Sequence, residues 1–208
     1  MIAINNYELF IVSCLILNIT PGTDTIYILS RSIGQGKRSG VLSVLGIMTG
    51  IFIHTILVAF GLSLIVSKSL LAFSVIKYTG AAYLICLGIK TFKRHGQTVL
   101  IQKNINVVKN SEIYFQGVLT NLLNPKVILF FLTFLPQFIV PDRGNFNLGI
   151  VMLGLTFVFT GGLWCILLVY FSSYITSKVR ENSKISNFLN YASGFVFITL
   201  GFKVAFDK

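Results

Sequence analysis

Acidic side chains are scarce in this 208-residue chain: six Asp and Glu stand against seventeen Lys and Arg, and there are two histidines. A carrier of metal cations normally needs several buried carboxylates or histidines. The apolar segments here offer one acid, Asp24, and one histidine, His54. Cysteine is equally sparse. Cys14, Cys86 and Cys165 lie in three different apolar runs, the count is odd, and no Cys-x-x-Cys occurs. Neither a disulfide frame nor a zinc site is supported, and small apolar packing residues are the plainer reading. Nothing in the chain pairs serine, histidine and acid, or spaces histidines for a metal, as an intramembrane enzyme would need.

Charge as a whole is missing too. Charged residues make up 11% of the chain and hydrophobic ones 54%, whereas a soluble domain carries about 25% charged residues. The mean hydropathy is +0.82, and apolar runs of about 20 residues recur from end to end. An excess distributed in this way specifies a polytopic membrane protein. The formal charge of +11 does not indicate nucleic acid as a partner, because the basic residues sit between apolar runs, where cytoplasmic loops place them. The first run lacks a basic leader and is too long for the apolar part of a signal peptide, so it is expected to stay as a helix.

Length and apolar content predict six spans, at about 7–30, 40–65, 74–92, 113–139, 146–174 and 188–206, each able to cross about 30 Å of hydrocarbon. Loops one, three and five hold Arg31, Lys37, Arg38, Lys90, Lys93, Arg94, Lys103, Lys109, Lys178, Arg180 and Lys184, eleven in all. The other side holds five: Lys68, Lys77, Arg143, Lys203 and Lys208. The asymmetry puts the odd loops in the cytoplasm and both termini outside. The whole chain, 1–208, reads as one membrane domain.

That domain contains a concealed repeat. Glu8 and Glu112 are 104 residues apart, and so are Pro21 and Pro125. Leu45-Gly46 matches Leu153-Gly154 at an offset of 108, and Tyr78, Leu87, Gly88 and Lys90 match Tyr191, Leu200, Gly201 and Lys203 at 113. The offset grows only across loops, as insertions would make it. The repeat equivalents of Cys14 and Cys86 are Val118 and Thr199, so no thiol pair is duplicated. The pattern predicts two three-helix halves, about 1–92 and 113–208, joined by a cytoplasmic loop at about 93–112. An odd number of spans per half inverts the second half relative to the first, the plan of many secondary transporters. Six ordinary helices with incidental prolines are the alternative.

Pro21 and Pro125 are expected to interrupt the first and fourth helices. Each follows a capping residue, Thr20 or Asn124, and proline at the first position of a restarted helix needs no donor of its own. Such a restart exposes N–H groups and the positive end of a helix dipole to anions. Broken backbone at this depth requires a polar cavity. Asn18 and Asn121 precede the two breaks and could satisfy freed backbone groups.

These stretches resemble the lysine exporter (LysE/RhtB) family of bacterial amino-acid exporters. "TPGTDTIYILSRSIGQGKRSG" is similar to that family's Pro-Gly-Pro-Asn/Asp signature and the basic Gly-rich loop after it, with Thr23 where proline is frequent. "GVLTNLLNPKVILFFLTFLPQF" is similar to its Asn-Pro-Lys and Phe-Leu-Pro-Gln-Phe element, and "YTGAAYLICLGIKTF" to its third span. The resemblance covers essentially the whole chain. It implies efflux of small amino acids or their relatives across the bacterial inner membrane, driven by protons, with no cofactor. By motif position it carries over Pro21, Gly22, Asp24, Asn124, Pro125 and Lys126; the capping argument adds Thr20.

Asp24 can bind a substrate ammonium, carry a proton, or simply stabilise the start of a helix by its charge; an aspartate at mid-span costs about 2.5–3.5 kcal/mol on insertion scales, which argues against an idle one. Lys126 follows Pro125 at a helix start, where a cation is unfavourable, so it requires a partner. Asp24 is one candidate, and snorkelling to the outer interface is the other. His54 can relay protons or serve as a structural hydrogen-bonding residue. Gly46-x-x-x-Gly50 reads as a close-packing helix motif. The residues encode neither the amino acid carried nor whether the chain forms a homo-oligomer.

Overall fold

The computed structural model describes residues 4–68, 70–92, 107–140 and 145–172, together with 174, 191, 194–195, 198–199, 201–202 and 205–206. Among these residues the secondary structure is mainly helical, with an antiparallel bridge between Ile4 and Ile139. The helices are α1 (Tyr7–Ile19), α2 (Thr23–Gln35), α3 (Lys37–Lys68), α4 (Leu70–Phe92), α5 (Asn110–Leu122), α6 (Pro125–Leu129) and α7 (Phe146–Tyr170). Two of them, over 37–61 and 146–170, are long and apolar enough to cross a membrane alone. The bent pairs α1–α2 and α5–α6 qualify if each counts as one span, giving two to four among the described residues. The expected third span coincides with α4. Most of the sixth, and most of the loop at 93–112, lie outside the described residues; the described positions from 191 to 206 are helical.

Both predicted interruptions are present. The chain bends by 51° between α1 and α2 and by 48° between α5 and the segment from Pro125 to Phe138. Beyond α6 the backbone widens into a π-helical turn at Phe130–Phe134, then tightens to a 3-10 turn at Leu135–Phe138. This irregular stretch holds the aromatic core. Phe130 stacks on Phe157 of α7 at 4.6 Å between ring centroids, and Phe138 meets Phe10 of α1 edge-on at 5.1 Å. Offset and edge-on aromatic pairs add about 0.5–1.5 kcal/mol each beyond their burial, which helps to hold a segment that lacks regular hydrogen bonding. Cys14 and Cys165 are buried, and Cys86 is exposed.

The first basic loop differs from expectation. α2 runs on to Gln35 and α3 starts at Lys37, so the connection is Gly36 alone. Its φ of +85° is in the region that favours glycine, and one residue therefore reverses the chain. Arg31, Lys37 and Arg38 are consequently helical. Arg31 donates to Gln35 on its own helix and, at 2.7 Å, to Gln116 of α5. Lys37 lies over the Tyr170 ring at 5.3 Å.

Glycines decide the closest helix contacts. A Cβ on Gly46 would collide with the Tyr114 carbonyl of α5 and lie 3.0 Å from Val118 N, so the Gly46-x-x-x-Gly50 motif is a packing surface for α5. A second contact joins α4 to the terminal helical positions. Gly88 faces Gly194 and Ile198, while Gly201 faces Ala81 and Ile85. At the 113-residue offset these are the same three positions, each meeting its counterpart reciprocally. The two sets of contacts are thus equivalent under the 113-residue offset.

Candidate functional site

The two breaks are built differently. At the second, Asn124 caps α6: its side-chain oxygen accepts from Lys126 N at 3.0 Å, and Pro125 occupies the first helical position. That matches the local chemistry expected. At the first break, Thr20 is not the cap of a restarted helix. Its hydroxyl donates back to the Ile16 carbonyl at 2.8 Å, which ends α1. Pro21 lies in the gap, and the cap of α2 is Gly22, in extended backbone and without a side chain. Ser and Thr readily bond back to the carbonyl four residues earlier, and Pro21, which has no N–H, leaves the Leu17 carbonyl without its normal helical donor.

Asp24 lies in the first turn of α2, so its charge sits favourably at the positive end of the dipole. Its side chain makes no capping bond. It reaches α5 instead, where Oδ2 accepts from Asn121 Nδ2 at 2.8 Å. Oδ1 is buried with no hydrogen-bond partner. Asn121 is itself fully buried, and it seats against Gly50 of α3, where an added Cβ would come within 2.7 Å of Asn121 Oδ1. Asn121 thus orders a carboxylate on another helix, a role the sequence reading assigned to backbone satisfaction.

His54 completes a chain of contacts. Its Nε2 donates to the Asn121 carbonyl at 3.4 Å, and its ring stacks on Phe131 at 5.7 Å. His54 therefore connects with Asp24 through Asn121 rather than directly. Asn18, the other candidate for satisfying the backbone, donates weakly to Thr160 of α7 at 3.4 Å.

Lys126 bonds to neither of its two expected partners. Its ammonium donates to the carbonyls of Leu17 and Thr20, at 3.1 and 3.0 Å. These are the last carbonyls of α1, the negative end of that helix. The unfavourable position of a cation at the start of α6 is offset by reaching across to the end of α1. A direct Asp24–Lys126 ion pair is not formed, although Asp24 and Cys165 of α7 both lie within electrostatic range of the ammonium. Gly22 leaves room beside it, since an added Cβ would be 3.3 Å from Nζ. All seven candidates, Thr20, Pro21, Gly22, Asp24, Asn124, Pro125 and Lys126, belong to these two breaks, and the Lys126 and Asn121 bonds bring the breaks together.

Beside Thr23 a cavity of about 450 Å³ opens between α2 and α5, lined by Thr23, Tyr27, Gln116, Leu119, Thr120 and Leu123. The Tyr27 hydroxyl donates to the Ile113 carbonyl at 2.6 Å and so fixes one wall.

The chain is 34% identical over 193 residues to an uncharacterized membrane protein, YrhP, of Bacillus subtilis, covering 89% of this chain and 91% of that one. It is 32% identical to a homoserine/homoserine lactone efflux protein of Salmonella typhimurium, covering 92% of each. A leucine efflux protein of Enterobacter is 24% identical, over 96% of this chain and 95% of its own. No solved structure matches. A family model described as LysE type translocator matches residues 15–208, and with two interrupted helices meeting around one acid and one lysine, the chain belongs to the LysE type translocators.

Proposed function

We propose that this protein is a secondary active exporter of amino acids or close derivatives, driven by the proton gradient across the bacterial inner membrane. The observation that carries the reading is Asp24. One carboxylate oxygen is held by Asn121, while the other is buried without a donor. A buried acceptor in this condition is costly unless something donates to it, and a substrate ammonium or a proton is the donor that transport would supply. Relatives named for homoserine/homoserine lactone efflux and for leucine efflux support a small substrate that carries an ammonium.

In this reading Asp24 meets the ammonium or the proton in turn, with His54 coupled to it through Asn121. The interrupted backbone at Thr20, Pro21, Gly22, Asn124 and Pro125 lines the path, and Lys126 stands within electrostatic range of the carboxylate. Six spans form two inverted halves that alternate access, with both termini outside. The reciprocal contacts of Gly88 and Gly201 and the two similar bends support that symmetry. No metal or cofactor enters the cycle.

The test is efflux from cells that overproduce the chain. Preloaded labelled homoserine and leucine, within a panel of amino acids, should leave faster than from control cells, and a protonophore should abolish the difference. Unchanged efflux across the whole panel, at verified membrane levels, would refute the proposal.

A further inference from the structure

Lys126 does more than a substrate contact requires. Two of its three N–H groups are committed to the Leu17 and Thr20 carbonyls. Those oxygens exist as free acceptors only because α1 stops at Ile19: Thr20 is extended at ψ 119°, Pro21 has no N–H, and α2 restarts at a different angle. In transporters built from broken helices, freed carbonyls and helix C-terminal ends are where the coupling cation is coordinated. Here two such carbonyls converge on one positive charge, with the Asp24 carboxylate in electrostatic range.

We propose that Lys126 is a tethered cation: its ammonium fills, at the carbonyl end of the interrupted first helix, the place that a dissolved sodium ion would otherwise take. The protein then carries its structural cation on α6, and it needs none from solution. The same attachment ties the second helix break to the first, so any motion that separates the halves has to release the lysine from the carbonyls. The term coupling cation rests on the transport reading; the cation position itself rests on geometry alone.

The charges and titratable groups facing this position are Asp24 from α2, His54 from α3 through Asn121, and Cys165 from α7. Asp24 is the one carboxylate among them. Removing the lysine head should therefore leave an acceptor cluster with net negative character, able to take a small monovalent cation.

The experiment measures thermal melting of the purified full-length protein in chloride salts of choline, sodium, ammonium and methylammonium at equal ionic strength. Wild type should melt at one temperature in all four. Lys126→Ala should melt lower in choline and recover in sodium, ammonium or methylammonium. A cation at ten times its dissociation constant should return about 3–6 °C. Lys126→Met, whose uncharged chain fills the space, should melt low in every salt. The proposal is overturned if Lys126→Ala melts alike in all four salts, or if wild type is stabilised specifically by sodium. Should Lys126→Ala not be recoverable in any salt, the wild-type arm decides: cation-independent melting supports the proposal and sodium-specific stabilisation overturns it. Failure of the transport reading would show separately, as absent export by wild type, and would leave these melting results standing.

Discussion

Asp24→Asn separates the two roles open to the acid, because the substitution leaves the hydrogen bond nearly intact. Asn121 Nδ2 donates to Asp24 Oδ2 at 2.8 Å, and an amide at position 24 keeps an acceptor oxygen of the same reach. What is lost is the assistance of the charge. A hydrogen bond to an ionised group contributes about 1.5–3 kcal/mol against about 1 for a neutral pair, and bonds between membrane helices average about 0.6. The position of Asp24 in the first turn of α2 adds about 0.3–1 kcal/mol of charge–dipole stabilisation. Relief of the unpartnered Oδ1 works the other way, since a buried charge is costly. The net loss should be about 1–2 kcal/mol, or about 2–8 °C in melting temperature for a chain of this size. Export driven by an imposed pH gradient should instead fall to the passive leak, because no titratable group remains at the joined breaks on α2. The assay is labelled-substrate export from proteoliposomes, with melting followed on the same preparation. Asp24→Glu, which moves the carboxylate but retains it, should keep part of the activity. Wild-type export by Asp24→Asn would refute the coupling role and leave Asp24 as a helix-start charge.

Asn121→Ala should destabilise the protein and impair export. In a double-mutant cycle with Asp24→Ala, which removes the acceptor, the melting data should give a coupling of about 1–3 kcal/mol; strict additivity would dissociate the two residues. Gly46→Leu should destabilise by about 1–3 kcal/mol or more, because the added atoms meet α5 backbone rather than a side chain that can swing away; an unchanged melting temperature would contradict the α3–α5 contact. Neutralising Lys37 and Arg38 should disturb insertion or lipid dependence while leaving substrate preference as it was, and a clean switch of substrate at normal membrane levels would count against this. A reporter fused after Lys208 should be active on the outer face of the membrane; activity only in the cytoplasm would overturn the orientation.

Membrane residence, the positions of the breaks and the identity of the exceptional residues were all legible in the sequence, because each depends on local chemistry. Twenty apolar residues cannot be left in water, proline cannot donate, and a lone acid in an apolar run stands out against its neighbours. Asn124 could be read as a cap because capping is decided within four residues. Thr20 could not, since a threonine before a break can equally bond back to the helix it ends, and Ile16 proved to be its acceptor. The first basic loop was similarly overestimated, because no periodic signal marks a reversal made by one glycine, Gly36.

What the sequence alone determined is the inventory: an all-helical membrane chain with Asp24 and Lys126 at two proline breaks 104 residues apart. Who meets whom was decided by tertiary structure. The attraction between an isolated acid and an isolated lysine would pair them, yet Asp24 is held by Asn121 and Lys126 by the carbonyls of Leu17 and Thr20. Both choices depend on helices remote in sequence: the missing Cβ of Gly50 admits Asn121, and the early end of α1 supplies two carbonyl acceptors at a helix's negative end. Local rules can say that a buried charge needs a partner. Only the packing of α1, α3, α5 and α6 around the breaks determines which groups are near enough to serve, because hydrogen bonds act over about 3 Å and that distance is set by the fold.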